Sequence, residues 1–172
     1  MRYDYCKTPR GRMLLVSSVN GLAGVYFVGQ RHYPRLSDGW KRDRRGMQHA
    51  KRELLEYFAG KRKRFSVPLD PQGTPFQQAV WREIAKVGFG ETMTYAELAR
   101  RAGHPGSARA AGAATGRNPL GIIVPCHRIV GTDGSLTGYA GGLSRKKAFL
   151  ALEAATSRRS SRSAAAAAAR PG

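Results

Sequence analysis

The chain has only two cysteines, Cys6 and Cys126, among its 172 residues. They lie far apart in the sequence and lack the close spacing of metal ligands, which suits free thiols in a reducing compartment. No segment approaches the roughly 20 apolar residues that a membrane span needs. Residues 1–12 carry four basic side chains and no apolar run of the kind found in a signal peptide. We therefore expect an intracellular, cytoplasmic protein that does not contact a membrane.

Acidic residues are also scarce. The chain has 30 Lys and Arg against 11 Asp and Glu, a formal net charge of +19, which favours a polyanionic partner. Most of the excess lies in residues 1–68, with 16 basic and 5 acidic side chains, whereas residues 69–156 carry 10 and 6. The basic runs 41–45 and 61–64 suit sequence-independent attraction of phosphates, which salt weakens. Ordinary solvated surface is the alternative interpretation of both runs.

The first 70 residues have the pattern of a small α+β domain. Two apolar, β-rich runs, 13–18 and 21–28, meet at Asn20-Gly21, a dipeptide typical of a tight hairpin. Apolar residues then recur at helical intervals over 47–58. Residues 65–69 are expected to add a third strand. With 41% hydrophobic residues, the chain has enough apolar surface to form a core without disulfides.

From residue 74 the pattern becomes helical. Thr74 and Pro75 form a typical helix start, with the threonine as N-cap and proline in the first helical position. Thr94 and Ser107 are expected to cap two further helices, and Glu97 is expected to complete a capping box with Thr94. A glycine-containing turn between these two helices predicts a helix-turn-helix.

The chain is therefore expected to be an α/β protein with two domains and a tail. An N-terminal α+β domain, residues 1–70, pairs an antiparallel sheet with a helix. A mostly helical C-terminal domain, residues 74–156, contains the helix-turn-helix, a short strand that carries Cys126, and a last helix over 144–155. Residues 157–172 are low in complexity and have nothing to bury, which predicts a disordered tail.

Cys126 and His127 are the residues best suited to chemistry. The β-branched run 121–124 predicts a short buried strand that stops at Pro125, which leaves the cysteine on a bend. A thiol with a pKa of about 8.5 is mostly protonated at neutral pH, so a nearby base would activate it. Adjacent side chains of a strand point to opposite faces, so the histidine can reach the sulfur only from irregular backbone or through a water. An inert buried thiol is the alternative.

The helix after Ser107 is unusual because it has a single long side chain, Arg109. One interpretation is close packing against another helix. The other is entry into a narrow DNA minor groove, with the arginine directed at the base stack. The remaining residues in this stretch are all small: Ser107, Ala108, Ala110, Ala111, Gly112, Ala113 and Ala114.

The sequence PCHR at 125–128, followed by two apolar residues, resembles the active-site signature of the O6-alkylguanine-DNA alkyltransferases. The resemblance extends over residues 74–153. It rests on several further segments in the order found in that family: TPFQQAVW at 74–81, GETMTYAELA at 90–99, SARAAG at 107–112, NP at 118–119 and GYAGG at 138–142.

This resemblance implies a role for each of five residues in alkyl transfer. Cys126 would be the nucleophile and alkyl acceptor, His127 the base acting through water, and Glu153 the carboxylate that orients the imidazole. Asn118 would brace the turn before the cysteine, and Tyr95 would polarise or protonate the guanine ring. Arg128 is expected to brace the fold.

The resemblance also implies a DNA surface and a base pocket. Arg109 would fill the gap left by a flipped nucleotide, since the O6 atom of guanine cannot be reached inside the duplex. Its expected neighbours at the DNA are Thr94, Ser107, Ala108, Ala110 and Gly112. A glycine at 141 predicts an open pocket that admits a benzyl-sized group. The expected pocket residues are Val124, Pro125, Tyr139, Ala140 and Gly141.

Together these residues imply repair of O6-alkylguanine in double-stranded DNA, by one-step transfer to a cysteine that is not regenerated. We expect a monomer without a cofactor, and no zinc, because too few ligands accompany Cys6. Three other classes are considered: a non-catalytic protein that binds alkylated bases, a helix-turn-helix regulator with a sensor cysteine, and a cysteine hydrolase. The presence of a cysteine at 126 argues against the first, and no second regulatory domain is visible for the second. A hydrolase would require turnover and an oxyanion hole.

Overall fold

The computed structural model describes residues 1–169, and its N-terminal half is a four-stranded sheet with one helix packed against it. The strand order is β3-β2-β1-β4, with β4 parallel to β1 and the other pairs antiparallel. The predicted hairpin joins β2 and β3. The elements are β1 (Arg2–Thr8), β2 (Gly11–Ser17), β3 (Leu22–Phe27), β4 (Lys41–Arg42) and α1 (Gln48–Phe58).

The two central strands bury different kinds of side chain. In β2 the residues from Met13 to Val16 are all buried, as expected for a strand covered on both faces. In β1 alternate residues point inward, and Asp4 is one of them. Burial raises the pKa of Asp4, but hydrogen bonds from Lys51 and Arg42 outweigh it and lower this pKa to about 2. Strand β1 was not predicted from the sequence, because its inward-facing residues include polar side chains and therefore lack an apolar pattern.

The C-terminal half is mostly helical, as expected. Thr74 caps the first of its helices: its hydroxyl accepts from the Gln77 amide at 3.2 Å, and the Gln77 side chain accepts from the Thr74 amide at 3.0 Å. The elements are α2 (Pro75–Ala85), β5 (Met93–Thr94), α3 (Tyr95–Arg101), α4 (Ala108–Gly116), a 3-10 turn (Cys126–Arg128), β6 (Ile129–Val130) and α5 (Leu143–Ala168).

Two predictions about helix caps were wrong in part. The Thr94 hydroxyl accepts from the Glu97 amide at 3.2 Å, but the Glu97 carboxylate pairs with Arg100 and Arg101 instead of completing a capping box. Ser107 precedes α4 but forms no hydrogen bond from its side chain to the helix.

Two predicted strands are absent from the structure. Residues 65–69 form only a single bridge, between Leu22 and Leu69, since Pro68 has no amide hydrogen for a ladder. Residues 121–124 form tight turns instead of a strand, so the cysteine lies on a 3-10 turn and not on a strand.

The two halves share one hydrophobic core. The Val25 amide of β3 donates to the Pro119 carbonyl at 2.7 Å, and the Val25 carbonyl accepts from Gly121 at 3.1 Å. The rings of Phe27 and Phe149 stack with centroids 6.0 Å apart. The two hydrogen bonds attach the segment before Cys126 to the N-terminal sheet, and the ring stack attaches α5 to it.

The last helix extends well beyond its predicted end. Residues 157–168 continue α5, where the sequence predicted disorder. The buried part of α5 has already nucleated the helix, and alanine has the highest helix propensity, so continuation costs little. From Arg158 to Ala169 the residues are exposed. The prediction for residues 170–172 lies outside the described part of the chain. No helix within residues 1–169 has the length and apolarity needed to cross a membrane.

Trp81 offers a test of how α2 supports α4. Its ring nitrogen donates to the Ala114 carbonyl at 2.9 Å, and the side chain is buried. We expect Trp81→Phe to lower the free energy of unfolding by about 1–3 kcal/mol, because the carbonyl loses a buried donor. Urea unfolding measures this change. Trp40→Phe, at a half-buried position in a loop, is the matched control; equal losses in both variants would contradict the role of the hydrogen bond.

Candidate active site and nucleic-acid interface

The buried side-chain amide of Asn118 spans the loop before Cys126. Its side-chain nitrogen donates to the Val124 carbonyl at 2.8 Å, and its side-chain oxygen accepts from the Leu120 amide at 3.0 Å. One side chain therefore binds both ends of the loop. Ile122, inside the loop, has a φ of 71°. This left-handed conformation is strained for a β-branched residue, so the loop keeps its shape only because its surroundings impose it.

Cys126 and His127 occupy consecutive positions of the 3-10 turn. Side chains of successive residues in such a turn diverge by about 120°, so we expect any proton transfer from the thiol to the imidazole to pass through a bridging water. The thiol is buried. Burial raises its pKa, although the Asn118 amide and the Lys146 ammonium act in the opposite direction. The resting residue is therefore a thiol.

Glu153 determines the hydrogen position on His127. The histidine Nε2 lies 2.7 Å from Glu153 Oε1, and both side chains are fully buried. Burial raises the pKa of the carboxyl, but hydrogen bonds from His127 and Arg128 lower it to about 2. An ionised carboxylate only accepts hydrogen bonds, so Nε2 carries the hydrogen and Nδ1 has a free lone pair. Within the described residues this buried Nδ1 has no hydrogen-bond partner. Burial lowers the pKa of His127, so the ring is neutral and able to accept a proton.

The same carboxylate accepts hydrogen bonds from three further residues. Arg128 donates from Nε at 2.9 Å and from a terminal nitrogen at 3.0 Å. The Tyr57 hydroxyl donates at 2.7 Å and the Gly90 amide at 3.1 Å. Arg128 also donates to the Val87 carbonyl at 2.6 Å. It is buried and acts as the expected brace. Tyr57, from α1 of the N-terminal half, was not predicted to take part.

Lys146 is a second residue that the sequence did not reveal. Its ammonium is buried and donates to the carbonyls of Ile129 at 2.5 Å and Thr137 at 2.9 Å. The Tyr95 hydroxyl lies 3.5 Å from this nitrogen and itself donates to Thr137 at 2.9 Å. Burial lowers the pKa of Lys146. The sequence held one indication that Lys146 is buried. It lies three residues before Phe149 and seven before Glu153, a spacing that puts all three on one face of the helix.

A cavity of about 650 Å³ lies between α4 and the segment before α5. It contains Tyr139 and Ala140 from the predicted pocket, but not Val124, Pro125 or Gly141. Pro125 faces a different groove. From the predicted DNA surface it contains Ala108, Arg109 and Gly112, but not Thr94, Ser107 or Ala110. Other lining residues were not predicted to be there: Arg31, His32, Ala113, Gly116, Arg117 and Thr137.

The expectation of open space beside Gly141 was wrong. A Cβ atom added there would lie 2.8 Å from Cε1 of Tyr139 and 3.4 Å from Cδ2 of Phe27. These two rings already occupy the volume. Any opening for a large alkyl group therefore lies along α4, where Gly112 has no side chain and Ala113 has only a methyl group.

Within residues 1–169 no group of three or more His, Cys, Asp or Glu side chains could share a metal ion. The charged groups that converge on the cavity are instead basic: Arg31, Arg109 and Arg117.

The fold and the site define a class of protein. A thiol with a nearby neutral base is attached to a helix-turn-helix whose second helix, α4, exposes an arginine and small residues, as in proteins that modify nucleic acids. The chain belongs to the 6-O-methylguanine DNA methyltransferase family. The ribonuclease-like domain of that family matches residues 1–71, and its DNA-binding domain matches residues 75–155. The resemblance seen in the sequence is thereby confirmed.

Relatives and solved structures agree with this assignment. A methylated-DNA--protein-cysteine methyltransferase of Methanosarcina acetivorans is 43% identical over 153 residues, which cover 89% of this chain and 98% of that protein. The protein of the same name from Mycobacterium tuberculosis is 42% identical, over 89% of this chain and 92% of that protein. The crystal structure of Mycobacterium tuberculosis OGT in complex with DNA superposes with a TM-score of 0.84 at 41% identity, and covers 91% of this chain and 94% of that chain.

Acid should weaken the cluster around Glu153. Its pKa is about 2 in the folded protein against the usual 4.5, so its contribution to stability is complete above about pH 4.5 and is lost as the pH falls toward 2. We expect Glu153→Gln to lower stability at neutral pH by about 3–5 kcal/mol, because Arg128 is left buried without its partner. The free energy of unfolding of this variant should also depend less on pH below about 4.5 than that of the wild type. Urea unfolding as a function of pH checks both effects.

Glu91→Gln, at an exposed position, is the control and should behave like the wild type in both respects. A Glu153→Gln protein with the wild-type dependence on pH would show that another group dominates acid unfolding.

Proposed function

We propose that this protein repairs double-stranded DNA by moving the alkyl group of an O6-alkylguanine to the sulfur of Cys126. The observation that carries the proposal is the free Nδ1 lone pair of a neutral His127, the residue next to a buried thiol in the sequence, in a chain of this family. A thiol and a neutral base are the two groups that a transfer to sulfur requires.

The transfer is a displacement at the alkyl carbon. His127 takes the thiol proton through a bridging water, and Glu153 stabilises the imidazolium that results. The sulfur then forms a bond to the carbon while the bond from carbon to O6 breaks, and the electron pair of that bond remains on guanine. The proton that His127 took from the thiol is then returned to the guanine anion, which restores neutral guanine and a neutral imidazole. The Tyr95 hydroxyl, held at the cavity wall beside the Lys146 ammonium, is placed to stabilise the developing charge.

DNA is proposed to bind along α4. Its exposed side offers Arg109 and small residues that allow close approach to a minor groove. The target guanine must leave the duplex because its O6 is otherwise inaccessible, and the cavity of about 650 Å³ beside α4 is large enough to receive it. Arg109 fills the place that the base leaves.

The product is a thioether, which water does not cleave, so each molecule acts once. We further propose that the protein acts as a monomer in the cytoplasm, without a cofactor.

The thiol is tested by the mass of the intact protein after incubation with a duplex that contains O6-methylguanine. We expect one methyl group per chain, on Cys126, and no transfer to Cys126→Ser, which should still bind DNA. Cys6→Ser is the matched control and should accept a methyl group at the wild-type rate. Methyl on Cys6, or many repaired bases per molecule, would refute the proposal.

Base flipping is tested with Arg109→Ala. Repair of the duplex should slow by roughly tenfold or more, because unstacking costs a few kcal/mol and the arginine offsets part of it. Reaction with free O6-benzylguanine needs no flipping and should change little. Arg82→Ala, on the exposed side of α2, is the control. Equal losses on both substrates would indicate damage to the cavity instead.

A further inference from the structure

Two basic segments that are remote in the sequence lie side by side in the structure. The Lys63 ammonium donates to the Ser160 hydroxyl at 2.9 Å, so the run 61–64 lies along the second half of α5. A Cβ atom added at Gly60 would be 3.0 Å from the Thr156 hydroxyl, which places the same loop against the preceding turn of the helix. The two segments together carry six basic side chains, called here the basic ridge: Lys61, Lys63 and Arg64 in the loop, Arg159 on the adjoining flank of α5, and Arg158 and Arg162 on the side of α5 turned away from the loop.

The charge of the basic ridge is not neutralised by the protein. All six side chains are exposed, and none of them forms a salt bridge within residues 1–169. Glu53 and Glu56 of α1 are held by Arg62 at 3.0 Å and 2.7 Å. Glu91 lines a groove together with Lys63 and Arg64 but forms no salt bridge with either of them within residues 1–169. Residues 61–64 and 157–169 contain no Asp or Glu. Such a concentration of one sign costs free energy by self-repulsion and favours a polyanion at this surface.

The basic ridge is distinct from the proposed cavity. The cavity lies just before the start of α5, and Ser160 is about 25 Å further along that helix at 1.5 Å per residue. The helical part of the ridge also lies beyond residue 155, where the match to the family ends. It is therefore a feature of this chain and not of the shared reaction site.

We propose that the basic ridge is a second DNA-binding surface, which holds the phosphates of another duplex segment while α4 contacts the first. The partner is duplex DNA because the proposed reaction already places this protein on it, and phosphates complement a surface of unpaired Lys and Arg without regard to sequence. One molecule would thus bridge two duplex segments.

The test uses the full chain and two short duplexes without a shared sequence. One duplex is immobilised and saturated with protein, and retention of a second, fluorescent duplex is measured as salt is varied. Arg64→Glu with Arg159→Glu alters the basic ridge. Arg44→Glu with Arg45→Glu changes the net charge equally at the other end of α1 and serves as the matched control. Thermal unfolding and methyl transfer to Cys126 from a single short duplex are measured for each protein.

We expect the wild type and the control to retain the second duplex. The ridge variant should bind it about tenfold or more weakly, with a salt slope lower by roughly two, one for each lost phosphate contact. Its methyl transfer and its affinity for a single duplex should stay within about twofold of the wild type. The proposal is overturned if the wild type retains no second duplex, if both variants lose it equally, or if the ridge variant loses affinity for a single duplex to the same extent. Loss of methyl transfer in the wild type would instead refute the proposed function.

Discussion

The structure depends most on the buried carboxylate of Glu153. It receives donors from three other segments: α1 through Tyr57, the loop after α2 through Gly90, and the 3-10 turn through both His127 and Arg128, while it is itself part of α5. A buried carboxylate is tolerated only when its charge is compensated and its oxygens are satisfied, so each of these segments must be in place for the others to be stable. The position of the proposed base is therefore a consequence of how the whole chain packs.

The two reactive groups rest in their uncharged forms for the same reason, burial. It raises the pKa of Cys126 and lowers that of His127, so a thiol and a neutral imidazole coexist. In the proposed reaction the thiolate is therefore expected to form by proton transfer within the site. A buried thiol is also a weaker target for oxidants than an exposed thiolate, since oxidation depends on thiolate character and access.

Elements with strong local signals could be predicted from the sequence: the hairpin at Asn20-Gly21, the Thr74 cap, and the cysteine beside a histidine. Features that depend on distant partners could not. Strand β1 presents Asp4 inward because Lys51 and Arg42 neutralise it. The pairing of Glu153 with His127 was expected only from a family resemblance, and the burial of Glu153 was not predicted. Tyr57 and Lys146 were missed as well, since a polar residue in a helix is usually exposed. The helix beyond residue 156 was missed because its propensity matters only once the packed part of α5 exists.

The β-bridge between Val25 and Leu120 joins the two halves of the chain and limits how far the protein can be truncated. The segment from Pro119 to Gly121, which leads into the cysteine loop, hydrogen-bonds to the edge strand of the N-terminal sheet. Tyr57 of the N-terminal half donates to Glu153. A fragment made only of the C-terminal half would retain every residue assigned to the reaction, yet it would lack the scaffold that imposes the strained loop and completes the carboxylate cluster. We therefore expect the smallest working unit to contain both halves.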